Sequence, residues 1–322
     1  MYAEFHASGF TRWLPISTAM IGFAVSKACF AFAGLATTGT AAPLEVSMAS
    51  GANYGKADYR LWLPPEVDRV RAVLVLMPGS NDDGRPQAHN AVWQAFAIKN
   101  KLALLGCRLT DKPHDRGFIE QYADVSKGSG QTVLDALTAF AAQTHHPELA
   151  TAPLLLWGMS AGGEFNYEFA AWKPERVAAF IVNKGGIYYT ALLSPAACHV
   201  PGLLFIGGKD MKLRTDVILG LFALNRRVGA LWALPEEPGA GHWEGHSPEI
   251  SRIFFEDVLA LRLAPDGSLK AIPENTGFIG DPLTKEFLPI AQSKPADHPT
   301  SWLPTLRVAQ AWQALVNEKP FP

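Results

Sequence analysis

Ser160, Asp210 and His242 follow one another in that order, 50 and 32 positions apart, and each comes just after an apolar run. A serine hydroxyl is a poor nucleophile at neutral pH. It needs a neighbouring imidazole to take its proton, and the imidazole needs a carboxylate to orient it. The serine lies in Gly158-Met159-Ser160-Ala161-Gly162-Gly163, directly behind Leu154-Leu155-Leu156-Trp157. This reads as a buried strand running through a sharp, glycine-flanked turn into a helix, which lifts a hydroxyl out of the backbone where a base can reach it. Residues flanking such a turn approach neighbouring chain closely, so small ones are required. The five-residue pattern also fits an ordinary tight strand–helix connection, and the strand before it and helix after it give it weight.

The base is sought among the histidines that follow. His242, in Gly239-Ala240-Gly241-His242-Trp243, falls on a loop beyond the apolar run Ala230 to Leu234. Reactive groups collect outside the carboxyl ends of strands in open α/β sheets. His246 is the alternative, as a pocket rim or helix cap, and His298 is more remote. Asp210 leaves the end of Leu203-Leu204-Phe205-Ile206 through Gly207-Gly208-Lys209. An Asp in that setting also serves as an N-cap or Asx-turn, so Asp216 and Glu237 stand in reserve. Acyl transfer requires donors for the developing oxyanion. One is expected from the Ala161 N–H and the second from the loop Pro78-Gly79-Ser80-Asn81. Pro78 has no N–H; Ser80 is the choice, with Asn81 next. Tyr188, Tyr189, Trp243 and Asn81 are expected to line the substrate pocket, a packing role being the alternative for the two tyrosines.

The elements that must position these residues alternate. Leu44 to Met48 and Tyr59 to Leu63 read as opening strands. Arg71 to Met77, Leu102 to Cys107, Leu154 to Trp157, Val177 to Val182, Leu203 to Ile206 and Ala230 to Leu234 read as further strands. Helices are expected over Ala91 to Lys99, Thr132 to Gln143, Gly162 to Trp172, Arg214 to Asn225 and Ile250 to Leu261. Apolar runs of this length between helical patterns predict an α/β fold, with a mostly parallel central sheet and helices on both faces. Thr110 to Gly130 is a long polar excursion. The Pro-rich tail, 266–322, is expected to pack on the domain formed by 43–265, with one short helix near Val308 to Val316.

Composition narrows the partners. Lys+Arg 28 against Asp+Glu 30, net charge −2, and the lack of any basic block interleaved with aromatics speak against nucleic acid. Hydrophobic residues at 48% exclude a disordered chain. Residues 1–42 are expected to be an export signal, giving a periplasmic or extracellular protein. Between Trp13 and Leu35 they are apolar or small apart from Lys27, and they end in Ala36-Thr37-Thr38-Gly39-Thr40-Ala41-Ala42. The alternative, a membrane anchor, is disfavoured because Lys27 cuts the stretch well below the ~20 residues that span a bilayer. Cys107 is expected to be an inert core thiol. A Cys107–Cys198 disulfide is chemically allowed in an exported chain, but sequence cannot set its distance. No metal or cofactor is expected: His145 and His146 diverge, and Asn81-Asp82-Asp83-Gly84 lacks the later ligands of a calcium loop.

With strand, elbow, late Asp and later His all in order, residues 44 to 262 resemble an α/β-hydrolase. The run Ser160-Ala161-Gly162-Gly163 is similar to exported esterases of the feruloyl esterase and polyhydroxybutyrate depolymerase type, and to dienelactone-hydrolase-like relatives. The resemblance implies a nucleophile at Ser160, an acid at Asp210 and a base at His242. It departs from the common pattern in carrying Met77-Pro78-Gly79 where many members have His-Gly. The expectation is a serine esterase acting on a small-molecule or polymer-linked ester through an acyl-enzyme. The alternatives are a serine peptidase on the same scaffold and a non-catalytic relative that binds a ligand or a protein.

Overall fold

Ala72-Val73-Leu74-Val75-Leu76-Met77 is apolar at every position because both of its faces are covered. Val73, Val75 and Met77 enter one hydrophobic cluster, and Ala72, Leu74 and Leu76 enter another. Side chains alternate across a strand, so a strand sandwiched between two helical layers has no polar face. The computed structural model describes residues 43–117 and 119–321; the expected export segment lies outside them.

The strands are β1 (Leu44–Met48), β2 (Lys56–Trp62), β3 (Ala72–Met77), β4 (Leu102–Thr110), β5 (Leu154–Gly158), β6 (Val177–Asn183), β7 (Gly202–Gly207), β8 (Trp232–Ala233) and β9 (Glu236–Glu237). They form one sheet in the order β1-β2-β4-β3-β5-β6-β7-β8, with β9 also pairing with β7. β1 and β2 pair antiparallel, β2 joins β4 antiparallel, and every pairing from β4 onward is parallel. The helices are α1 (Ala91–Asn100), α2 (Ser129–Thr144), α3 (Ala161–Trp172), α4 (Pro195–Cys198), α5 (Lys212–Arg226), α6 (Ser247–Arg262) and α7 (Leu306–Val316). α2, α3 and α5 feed Phe140, Phe165 and Phe222 into one cluster, whereas α1, α6 and α7 feed Trp93, Phe254 and Trp312 into the other. The sheet is therefore covered on both faces. Among the described residues, no helix is long and apolar enough to cross a membrane.

Two expectations need correction. The run Ala230 to Leu234 pairs only at Trp232–Ala233. Its neighbours are buried without joining the ladder, so the apolar signal reported burial rather than pairing. The tail does more than contribute a helix. It adds β10 (Phe278–Asp281), β11 (Glu286–Pro289) and β12 (Ser301–Leu303), an antiparallel sheet in the order β11-β10-β12. Strands of three or four residues are too short to display periodicity, which hid them. Cys107 and Cys198, whose pairing the sequence left open, are separate free thiols, both buried; burial pushes the Cys107 thiol well up.

The tail is stitched into the core. Trp312 is 1% exposed, and its Nε1 donates to Leu234 O at 3.2 Å. Leu234 N donates to Ser301 Oγ at 2.9 Å, and Arg226 Nε donates to Thr300 O at 2.7 Å. Trp312→Ala is expected to cost about 3–5 kcal/mol. Thermal unfolding should stay a single transition with Tm about 10 °C lower. A separate early transition for the tail, or an unchanged Tm, would contradict this account.

Candidate active site

The turn after β5 is tight enough to dictate its own residues. A Cβ on Gly158 would lie 2.5 Å from the Gly162 carbonyl, and one on Gly162 would lie 2.4 Å from the carbonyl oxygens of both Met77 and Pro78. Those obstacles are backbone, which cannot step aside as a side chain would. Ser160 between them sits at φ 53°, ψ −126°, a conformation L-residues rarely adopt, with a strain of order 1–3 kcal/mol. Its N–H donates to Asn183 O at 2.8 Å and its carbonyl accepts the Glu164 N–H at 3.1 Å. The first bond ties the turn to the end of β6; the second makes it the first turn of α3.

The side chain so raised meets the two groups expected from the sequence. His242 Nε2 lies 3.1 Å from Ser160 Oγ, and His242 Nδ1 lies 2.9 Å from Asp210 Oδ2. Asp210 is only 3% exposed at its side chain. Its other oxygen accepts the Met211 N–H at 2.6 Å and Arg214 Nη1 at 3.0 Å, so the Asx-turn role and the partnership with His242 coexist on one carboxylate. Burial alone would push this carboxyl up; the His242 ring, the Met211 N–H and Arg214 outweigh it, and the net shift is downward. The reserves are engaged elsewhere. Glu237 Oε1 lies 2.6 Å from His246 Nδ1, Asp216 pairs with Lys212, and His298 sits between Asp281 and Asp297.

Ala161 opens α3 directly after the nucleophile, and Ser80 follows the end of β3. Among the described residues, neither backbone N–H makes a hydrogen bond. Asn81 N–H is taken by the Tyr122 hydroxyl at 3.2 Å, which removes it as a donor.

A cavity of about 540 Å³ opens beside Ser160 and His242, with Met77, Ile187, Met211 and Leu213 among its apolar walls. The expected pocket residues do not line it. Asn81 turns away to accept the Asp111 N–H at 2.7 Å. Tyr188 packs edge-on against Tyr167 at 5.0 Å. Tyr189, 43% exposed, donates its hydroxyl to Glu120 O at 3.0 Å. Trp243, 53% exposed, faces a neighbouring groove with His246 and Phe321. Sequence proximity to a reactive residue gave no information on which way these rings point.

Polar residues that sequence reasoning passed over hold the site. Lys184 follows β6 with a fully buried side chain and donates to Trp243 O at 2.9 Å, beside His242. Burial lowers its pKa, against the Glu237 carboxylate 3.5 Å away. Asn183 donates to Glu244 O at 3.1 Å and to Ser247 Oγ at 2.7 Å. The histidine loop is therefore fastened from beneath. Glu164, one helical turn after Ser160, lines the cavity. Its Oε1 accepts the Gly186 and Ile187 N–H groups at 2.6 and 3.0 Å, and burial pushes its carboxyl up to about 7. The i, i+4 spacing from Ser160 was a signal that could have found it.

The strand order, the parallel half-sheet and the serine turn coincide with one known architecture. A ferulic acid esterase superposes on 68% of this chain and 98% of its own length with a TM-score of 0.52, at 12% identity. The chain has the α/β-hydrolase fold. Other solved structures superpose less closely. They include a poly(3-hydroxybutyrate) depolymerase from Bordetella parapertussis (TM-score 0.47, 14% identity, 71% of this chain and 91% of that one) and an S-formylglutathione hydrolase from Staphylococcus aureus (0.47, 14%, 68% and 96%). No protein-family model and no curated protein sequence matches this chain.

Gly162→Ala tests the elbow directly. Its methyl must displace the β3 end that carries Ser80, at a cost of about 1–3 kcal/mol. Tm should fall by about 5 °C, and Ser160 should lose reactivity toward acylating reagents. A variant as stable and as reactive as the parent would refute the contact.

Proposed function

We propose that this chain is a serine hydrolase that cleaves carboxylic esters through an acyl-enzyme. The observation that carries the reading is the unbroken chain of contacts from Ser160 Oγ to His242 to the buried Asp210 carboxylate, at 3.1 and 2.9 Å. In the first half-reaction, Ser160 Oγ attacks the ester carbonyl carbon while His242 Nε2 takes the hydroxyl proton. Asp210 holds the ring in the tautomer that leaves Nε2 free and stabilises the imidazolium. Negative charge then develops on the former carbonyl oxygen, where the Ala161 and Ser80 N–H groups are the donors assigned to it. Collapse breaks the bond to the alcohol, which leaves with the proton from His242. Water, deprotonated by the same ring, releases the acid and restores Ser160.

The raised φ of Ser160 supports this reading, since strain of that kind persists only where the surrounding structure enforces it. So does the cavity beside the hydroxyl, large enough for an acyl or alcohol group of modest size. We place the protein outside the cytoplasm on the character of residues 1–42.

A fluorophosphonate probe is expected to label the purified protein, and labelling should vanish in Ser160→Ala. Hydrolysis of para-nitrophenyl esters should fall by about 10³-fold or more in Ser160→Ala and His242→Ala, and by about 10³–10⁴-fold in Asp210→Asn. Labelling that survives Ser160→Ala unchanged, or an Asp210→Asn enzyme with parental kcat, would defeat the assignment.

A further inference from the structure

We infer that the cavity beside Ser160 selects esters whose acyl or alcohol part carries a positively charged nitrogen, with Glu120 and Glu164 as the subsite that holds it. This deepens the hydrolase reading and rests on it. Four carboxyl side chains line the cavity: Asp82, Glu120, Glu164 and Glu244. The cavity holds one Arg, Arg214, and that guanidinium is already committed to Asp210 at 3.0 Å. The wall that a substrate meets is therefore acidic on balance, with Arg214 and the buried Lys184 offsetting Glu164 and Glu244 only in part.

Two of these carboxyls are also buried. Glu120 and Glu164 are each only 4% exposed, and a buried carboxylate without a counter-charge is costly. Glu164 Oε1 is satisfied by two backbone N–H groups, but Oε2 is buried with no partner. The Glu120 carboxylate accepts no hydrogen bond among the described residues. Burial raises Glu164 most, and the nearby Glu120 charge raises it further, so the two acids share one neighbourhood and work against each other. A cation bound at this wall would supply the counter-charge that both carboxyls lack.

The cavity wall carries further buried polar atoms without a partner. Trp157, 1% exposed, has an indole N–H without a partner, and Gln87 Oε1 is likewise buried and unpaired. Among the described residues, three buried polar atoms without a partner thus belong to residues of this one cavity wall. The protein has also built structure to deliver Glu120. Asp111 Oδ1 accepts the N–H groups of Gln121 and Tyr122 at 2.8 and 3.2 Å, and Ser129 Oγ donates to Tyr122 O at 2.6 Å. These bonds fold the polar excursion inward immediately after Glu120. An apolar acyl group would leave both carboxyls unpaired, and an anionic one would be repelled.

Matched esters test the inference without any variant. The para-nitrophenyl ester of 4-(trimethylammonio)butanoate is compared with that of 5,5-dimethylhexanoate, its neutral isostere. Acetylcholine is compared with 3,3-dimethylbutyl acetate. In at least one pair, kcat/KM for the cationic ester should exceed that for its neutral twin by tenfold or more. The ratio should narrow with added salt and in Glu120→Gln. Neutral esters hydrolysed as well as the cationic ones in both pairs would overturn the subsite and leave the hydrolase reading intact. The same holds if a feruloyl or acetyl sugar ester is preferred while charge has no effect, since hydroxyl recognition would then explain the orphaned oxygens. Hydrolysis of no ester, with no fluorophosphonate labelling, would remove both readings.

Discussion

Everything at this site depends on one close approach of backbone to backbone. The start of α3 presses against the carbonyls of Met77 and Pro78 at the end of β3, so closely that a Cβ on Gly162 would stand 2.4 Å from both oxygens. That contact forces Ser160 into its unusual φ and aims its hydroxyl outward, and the bond from Ser160 N–H to Asn183 O holds it there. Because β3, β5, β6 and β7 run parallel, their carboxyl ends lie along one edge. The loops leaving that edge bring together groups that are remote in the chain. The strain on Ser160 is tolerable because the two helical layers on either side leave the sheet little freedom to relax.

Around this point the chain spends buried polar groups where a purely apolar core would be simpler. Lys184, Asn183 and Glu237 lie beneath the histidine loop and bind its backbone at Trp243, Glu244 and His246. Each bond fixes a carbonyl or N–H within a few residues of His242. The imidazole itself is left half-exposed between Ser160 and Asp210, so its position depends on that anchored loop rather than on packing of the ring. The far wall follows a similar plan, with Asp111 and Ser129 shaping the turn that presents Glu120. Buried polar networks of this kind are costly when incomplete and rigid when satisfied. Here the histidine side is close to satisfied, whereas Glu164, Trp157 and Gln87 of the cavity wall each keep a buried polar atom without a partner.

The sheet and its helices were legible because their signal is local. A strand buried on both faces must be apolar throughout, as in Ala72 to Met77. A helix such as α5 or α6 must repeat apolar residues on the face it buries. The small strands of the tail gave no such signal, since three or four residues among prolines look like loop until a partner strand is beside them. Trp232 shows the converse. Its neighbours are apolar enough for a longer strand, yet they are spent on packing, Leu231 against Ile272 and Trp302 and Ala230 and Leu234 in the main core, without extending the ladder.

By itself, the amino-acid order determined the elbow, since only glycines fit positions 158 and 162. It also determined the succession of serine, aspartate and histidine at strand ends, since each follows its own apolar run. Tertiary structure alone decided which way the aromatic rings beside them point, so that Tyr188, Tyr189 and Trp243 look away from the cavity. It alone brought Glu120, from an unreadable excursion, into the cavity that Glu164 also lines. The physical reason is range. Backbone sterics and burial periodicity act over a few residues and leave a trace in sequence, while the direction of a loop side chain depends on partners dozens of positions away.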